Sequence, residues 1–99
     1  NAGILSTGAV EGALYHYMPA PPEIMDRVRR IEGICADFGI SLCAAALQFP
    51  VRHPAVAASV PGARSVKYVN QNVAAMNETI PEAFWDALRT ERLIDPACP

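Results

Sequence analysis

Between residues 22 and 38 the apolar positions Ile24, Val28, Ile31, Cys35 and Phe38 recur every three or four residues. Arg27, Arg29, Arg30, Glu32 and Asp37 fall off that stripe, so the spacing predicts an amphipathic helix. Gly39 supplies its C-terminal stop, and Ser41 offers a fresh N-cap for a second helical run over 42–48. The alanines of that run permit close packing, and Pro50 is expected to end it. Residues 55–60 are apolar without a helical period, short and valine-containing, the pattern of a strand buried on both faces. Pro61 and Gly62 break this segment and Ser65 can cap the next helix, with Val66, Val69, Val73 and Met76 as its inward stripe. Thr79 and Glu82 have capping-box spacing ahead of a last helix that would pack through Phe84, Trp85 and Leu88. Upstream of all these, Gly3, Gly8 and Gly12 followed by Pro19, Pro21 and Pro22 read as a loop leading into a helix start.

One strand cannot make a sheet, and the only other candidate lies around Ile4 and Leu5. Two or three αβ units lacking their neighbours fit the C-terminal part of a (β/α)₈ TIM barrel. The expected class is therefore α/β, a mostly helical portion with one or two parallel strands. It would occupy residues 1–99 of a single barrel domain, about two fifths of a fold that runs to ~250 residues. The chain opens on Asn1 without an initiator Met or a signal-peptide pattern, and reads as the interior of something longer.

Composition narrows the function classes. Hydrophobic residues make up 52% and charged ones 18%, enough for one packed core. A net charge of −2 with no basic stripe argues against a nucleic-acid partner. The longest mostly apolar stretch, 40–51, is broken by Ser41, Gln48 and Pro50 and is shorter than the roughly 20 residues of a membrane span, so no membrane role is expected. Cys35, Cys43 and Cys98 share no CxxC spacing and suggest neither a disulfide framework nor a metal site; a reducing, cytoplasmic setting fits them.

The chemistry-bearing segment is the turn formed by Pro61, Gly62, Ala63, Arg64 and Ser65. A turn that opens a helix offers free backbone N–H groups and a positive helix end to an anion such as phosphate. Arg64 adds a planar cation, and Asn72, two turns on, an amide suited to an adenine edge. On these residues alone, simple Pro-Gly punctuation is the favoured reading of the turn, since a Pro-Gly turn before a helix is most often no more than that.

The segments NAGILSTG, APPEIMDRVRRIEGICADFGISLCAAALQFPVRHPAV and SVPGARSVKYVNQN are similar, in order and spacing, to the C-terminal region of aldo/keto reductases. Within that family the chain resembles the branch containing L-fucose dehydrogenase, aldose 1-dehydrogenases and pyridoxal 4-dehydrogenase. The resemblance implies a (β/α)₈ barrel, an NAD or NADP cofactor and a small carbonyl or sugar substrate. It also implies that the remainder of the barrel lies upstream. It maps the pyrophosphate loop onto Asn1, Ala2, Gly3, Ile4 and Leu5, and the adenosine loop onto Pro61, Gly62, Ala63, Arg64 and Ser65, with Tyr68 and Asn72 on the helix that follows. Gly62 stands where many members carry Lys, Tyr68 where Arg or Gln is common, and Gln71 where Glu is common. Without the Lys, grip on a 2′-phosphate weakens, which tilts the expectation slightly to NAD.

The family's catalytic Asp, Tyr, Lys and His lie on early strands, so the resemblance implies no catalytic residue in this chain and no turnover by it in isolation. Lys67 is not the family's catalytic Lys. Tyr15, His16 and Tyr17 adjoin the first loop and could rim a substrate mouth, but such a cluster is read here as packing. His53 is read as a helix-end residue. The alternative to part of an oxidoreductase is a self-standing, non-catalytic helical interaction module. A further phosphate-binding barrel enzyme explains less of the sequence.

Overall fold

The computed structural model describes residues 3–99. Five helices, α1 (Ile4–Thr7), α2 (Pro22–Phe38), α3 (Leu42–Val51), α4 (Val66–Asn77) and α5 (Glu82–Thr90), are joined by loops and one hairpin, β1 (Leu14–Tyr15) with β2 (Met18–Pro19). The α2 helix has the bounds its periodicity predicts: Pro22 occupies the first turn, and Gly39 closes it at φ +67°. That left-handed backbone suits glycine and lets Ile40 N–H reach the Cys35 carbonyl at 3.0 Å. The Ser41 hydroxyl then caps α3 by accepting from Ala44 N–H at 3.1 Å, as expected. Across this break α2 and α3 meet at 98°.

The core lies where α2, α3 and α5 meet. Phe84, Trp85 and Leu88 of α5 are buried against Cys35 and Ala45, with Leu93 closing the cluster. The Phe84 ring stands edge-on to both Phe38 and Trp85, with centroids 5.8 and 5.1 Å apart. Fully burying two rings of this size supplies roughly 2–3 kcal/mol each, which fixes α5 to the body. A second cluster, Ile4, Ala13 and Val28, holds the N-terminal loop on α2, and Leu42 packs against both clusters. Glu32 ties down the same loop by accepting from Ala9 N–H at 2.7 Å. Its carboxylate lies 3.1 Å from a Cβ added at Gly8 and would have to give by a few tenths of an ångström, while the φ of +83° is what favours glycine there.

Five expectations are corrected. Residues 56–63 form no strand, and Val60 is 93% exposed. A buried parallel strand takes its hydrogen bonds from neighbours, and among the described residues none is present to pair it. Ile4 and Leu5 belong to α1 rather than to a strand, and the only sheet among the described residues is the antiparallel hairpin. Pro50 does not end α3, which runs on to Val51 and closes through Arg52 and His53 N–H bonds to the Phe49 and Pro50 carbonyls. Loss of one donor in a final turn removes little. No Thr79 capping box forms; α5 begins behind Pro81, and Glu82 turns instead to Arg52 and Arg89. On α4 the stripe Val66, Val69, Val73 and Met76 is exposed, while Asn72 and Ala75 face inward.

No single helix among the described residues is long and apolar enough to cross a membrane.

Candidate functional site

Asn72 is the buried polar residue around which the sequence-predicted site residues can be placed. It is 8% exposed, on the inward face of α4, and its amide donates to the Gly62 carbonyl at 3.4 Å, drawing the preceding loop toward the helix. A cavity of about 230 Å³ has Asn72 on one side and Gly3, Leu5 and Ser6 on the other, with Cys43 and Ala46 of α3 between. A second cavity, of about 290 Å³, continues past Asn72 to Gln71, Ser41 and Glu78. Gly3 and Leu5 from one mapped loop and Asn72 from the other region thus share one cleft.

The remaining candidates are placed differently. Ile4 is buried in the second core cluster, which commits its side chain to packing. Pro61, Gly62, Ala63, Arg64 and Ser65 are exposed, and Tyr68 is half-buried. The Ser65 hydroxyl accepts from Tyr68 N–H at 3.4 Å and so caps α4 as expected. Helix geometry leaves the Val66 and Lys67 N–H groups without intrahelical acceptors, pointing out of the start of α4. Arg64 takes part in no ion pair among the described residues. Asn1 and Ala2 lie outside the described residues. Gly3 and Gly62 are not forced by crowding: a Cβ on Gly3 would meet the Leu14 carbonyl at 3.8 Å, and one on Gly62 nothing within 4 Å.

The aromatic cluster is not packed as expected. His16 and Tyr17 form the two-residue tip of the hairpin, at φ +53° and +64°, the pattern of a type I′ turn without its usual glycine. Tyr17 is 93% exposed, and the Tyr15 and His16 rings stand 4.3 Å apart. A hairpin tip has no body beneath it, which is why these rings find no core. His53 behaves as a helix-end residue, its Nδ1 accepting from Ala55 N–H at 3.1 Å.

Sequence reasoning missed the polar side chains that hold the site's helices together. Gln48 of α3 donates to the Ala75 and Glu78 carbonyls, both at 2.8 Å. Glu78 accepts from the Ser41 N–H at 2.6 Å and hydroxyl at 2.9 Å. A glutamine inside an alanine run was the available signal. Cys35 lies nearby, and burial, followed by the negative charges of Glu32 and Glu78, pushes its thiol up to about 11. It is a core group rather than a reactive one.

The inward-facing Asn72 amide, the first N–H groups of the Ser65-capped α4 and the cleft between Asn72 and Gly3 lie in one region of the chain. The aldo/keto reductase family model matches residues 1–91, and the chain belongs to that family. It is 42% identical over 94 residues to pyridoxal 4-dehydrogenase of Microbacterium luteolum, a match covering 95% of this chain and 28% of the relative. It is 34% identical over 95 residues to D-threo-aldose 1-dehydrogenase of a Pseudomonas species, covering 95% of this chain and 29% of that one. The chain therefore spans less than a third of the length of the curated relatives it matches. No solved structure matches it.

Proposed function

We propose that this chain is the cofactor-holding C-terminal part of an NAD(P)-dependent dehydrogenase barrel, acting as a whole on an aldose or a pyridoxal-like carbonyl or alcohol. The observation that carries this reading is the position of Asn72, a buried polar residue between the segment of Gly3 and Leu5 and the loop of Gly62. A side-chain amide offers two donor hydrogens and an acceptor oxygen, of which the Gly62 carbonyl takes one hydrogen, and the edge of an adenine supplies both a donor and an acceptor.

The residues present fit the adenosine and pyrophosphate ends of such a cofactor. Asn72 would hold the adenine edge, Arg64 and the start of α4 would meet phosphate charge, and Gly3 would let the first loop approach by its backbone. A bound nicotinamide supplies the hydride acceptor or donor; this chain's part is to bind, orient and shield its far end. The family membership and the two dehydrogenase relatives support the reaction class. Gly62, in place of a Lys, supports a slight preference for NAD.

The test is NAD and NADP binding by the whole protein, read by calorimetry, with Asn72→Ala as the probe. Loss of the amide is expected to weaken NAD by about 1–3 kcal/mol, the scale of an unpaired polar contact. Because its bond to Gly62 is long, stability should fall by less than about 1 kcal/mol. Unchanged dissociation constants for both cofactors would remove Asn72 from the site.

A further inference from the structure

The helix that carries Asn72 has few anchors. Away from α3 it presents Val66, Val69 and Val73 to solvent, and its packing within the described residues is almost entirely against α3. Its placement is therefore decided at one junction, and that junction is polar. The Gln48 amide reaches the Ala75 and Glu78 carbonyls at 2.8 Å, with the Met76 carbonyl at 3.4 Å, and so bonds to backbone at and just past the end of α4, where the Ala75 carbonyl also accepts from Glu78 N–H at 3.4 Å. In return, both oxygens of Glu78, just past the end of α4, accept from Ser41, the residue that caps α3. A carboxylate there also sits at the positive end of α3. Ala44 of α3 and Ala75 of α4 are both buried and both small.

We propose that Gln48 and Glu78 are positioning residues for the adenosine end of the cofactor site, setting where α4 presents Asn72 without touching the cofactor themselves. This rests on reading Asn72 as an adenosine contact. Asn72 lies one turn before Ala75, about 4.5 Å along the axis, so a rigid helix carries any displacement at its clamped end directly to the Asn72 amide. Nothing in packing alone requires these two side chains: leucine would fill the place of Gln48 with similar volume and no polar bond. The two short Gln48 bonds and the return bonds from Ser41 to Glu78 hold the end of helix α4 in place more firmly than apolar contact alone would.

The experiment measures binding of adenosine monophosphate and of nicotinamide mononucleotide, separately, to the whole protein and its variants, alongside thermal melts. Gln48→Leu and Glu78→Leu are each expected to weaken adenosine monophosphate about tenfold while leaving nicotinamide mononucleotide unchanged. Glu78→Gln, which keeps an acceptor for Ser41 N–H and a partner for its hydroxyl, is expected to restore wild-type affinity. Combined with Gln48→Leu, Asn72→Ala should add less than it does alone. Leu93→Ala, a core change remote from α4, serves as the control for stability alone. If Gln48→Leu does not fold, Ser41→Ala carries the same test as a smaller perturbation of the junction. Adenosine monophosphate affinity that stays at wild type in the clamp variants, or falls no further than in Leu93→Ala, overturns the proposal. Should Asn72→Ala alone leave that affinity unchanged, the underlying cofactor reading fails and this proposal falls with it.

Discussion

Replacing Val69 and Val73 together by glutamate separates the two readings of this chain. Both side chains lie on the outer face of α4 and keep 49% and 54% of their surface exposed. Fully burying a valine is worth about 1.5–2 kcal/mol, so a covering element would gain roughly 1 kcal/mol more from each. If the chain is one part of a longer barrel, the double variant forfeits that gain and places two unpaired carboxylates beneath the covering element, at several kcal/mol for the pair. The sum, on the order of 5 kcal/mol, approaches the whole stability of an ordinary domain. If the chain is a self-standing module, the same positions are surface positions and the change stays within about 0.5 kcal/mol. Urea unfolding followed by far-UV dichroism, on the whole protein and on residues 1–99 expressed alone, reads both numbers. We expect collapse of the whole protein, and near-neutral stability with less self-association for the 99-residue chain. A whole protein that tolerates both glutamates would refute the barrel reading and raise the module above it.

Gly62→Lys should raise NADP affinity relative to NAD about tenfold, the scale of one charge-assisted contact, with the fold unchanged because a Cβ there meets nothing within 4 Å. An unaltered ratio of the two dissociation constants would take the 2′-phosphate away from this loop. Thiol alkylation mapped by mass spectrometry should label Cys43, on the cleft wall, and be slowed there by NAD. Cys35 should stay unlabelled at pH 8, because the protonated thiol dominates until pH nears its raised value of about 11; rapid labelling of Cys35 would mean the core opens. The combined change of His16→Asn and Tyr17→Gly should raise stability by about 1–2 kcal/mol by relieving two non-glycine residues at positive φ. A loss of stability would show that these rings are held by contacts that offset their strain.

What the sequence made legible is what local physics decides. Residues 22–38 carry their own period and both of their stops, so α2 could be read end to end, and the Ser41 and Ser65 caps follow from bonds spanning three residues. Phe84, Trp85 and Leu88 could be assigned inward because no other face of that helix is apolar. The segment 55–60 was misread for the opposite reason: a parallel strand is a property of its neighbours, and composition carries only permission to form one.

The facing of α4 shows where hydropathy runs out. Four large apolar residues mark one face of the helix as the inner one, yet the chain turns the side of Asn72 and Ala75 to its partner. That side of α4 is held to α3 by the bonds of Gln48 and Glu78 rather than by large apolar side chains. Those partners are 27 to 37 residues distant in sequence, beyond any local period. The Arg52 side chain follows the same logic, lying 4.6 Å from the centre of the Trp85 ring while bonding to Glu82 and to the Pro99 carbonyl. A face that buries an asparagine and leaves valines in water is a face shaped by polar contacts on one side and still apolar on the other. The polar side is where a nucleotide is proposed to sit, and the apolar side is where the rest of a barrel would pack. The same helix therefore has reason to carry both.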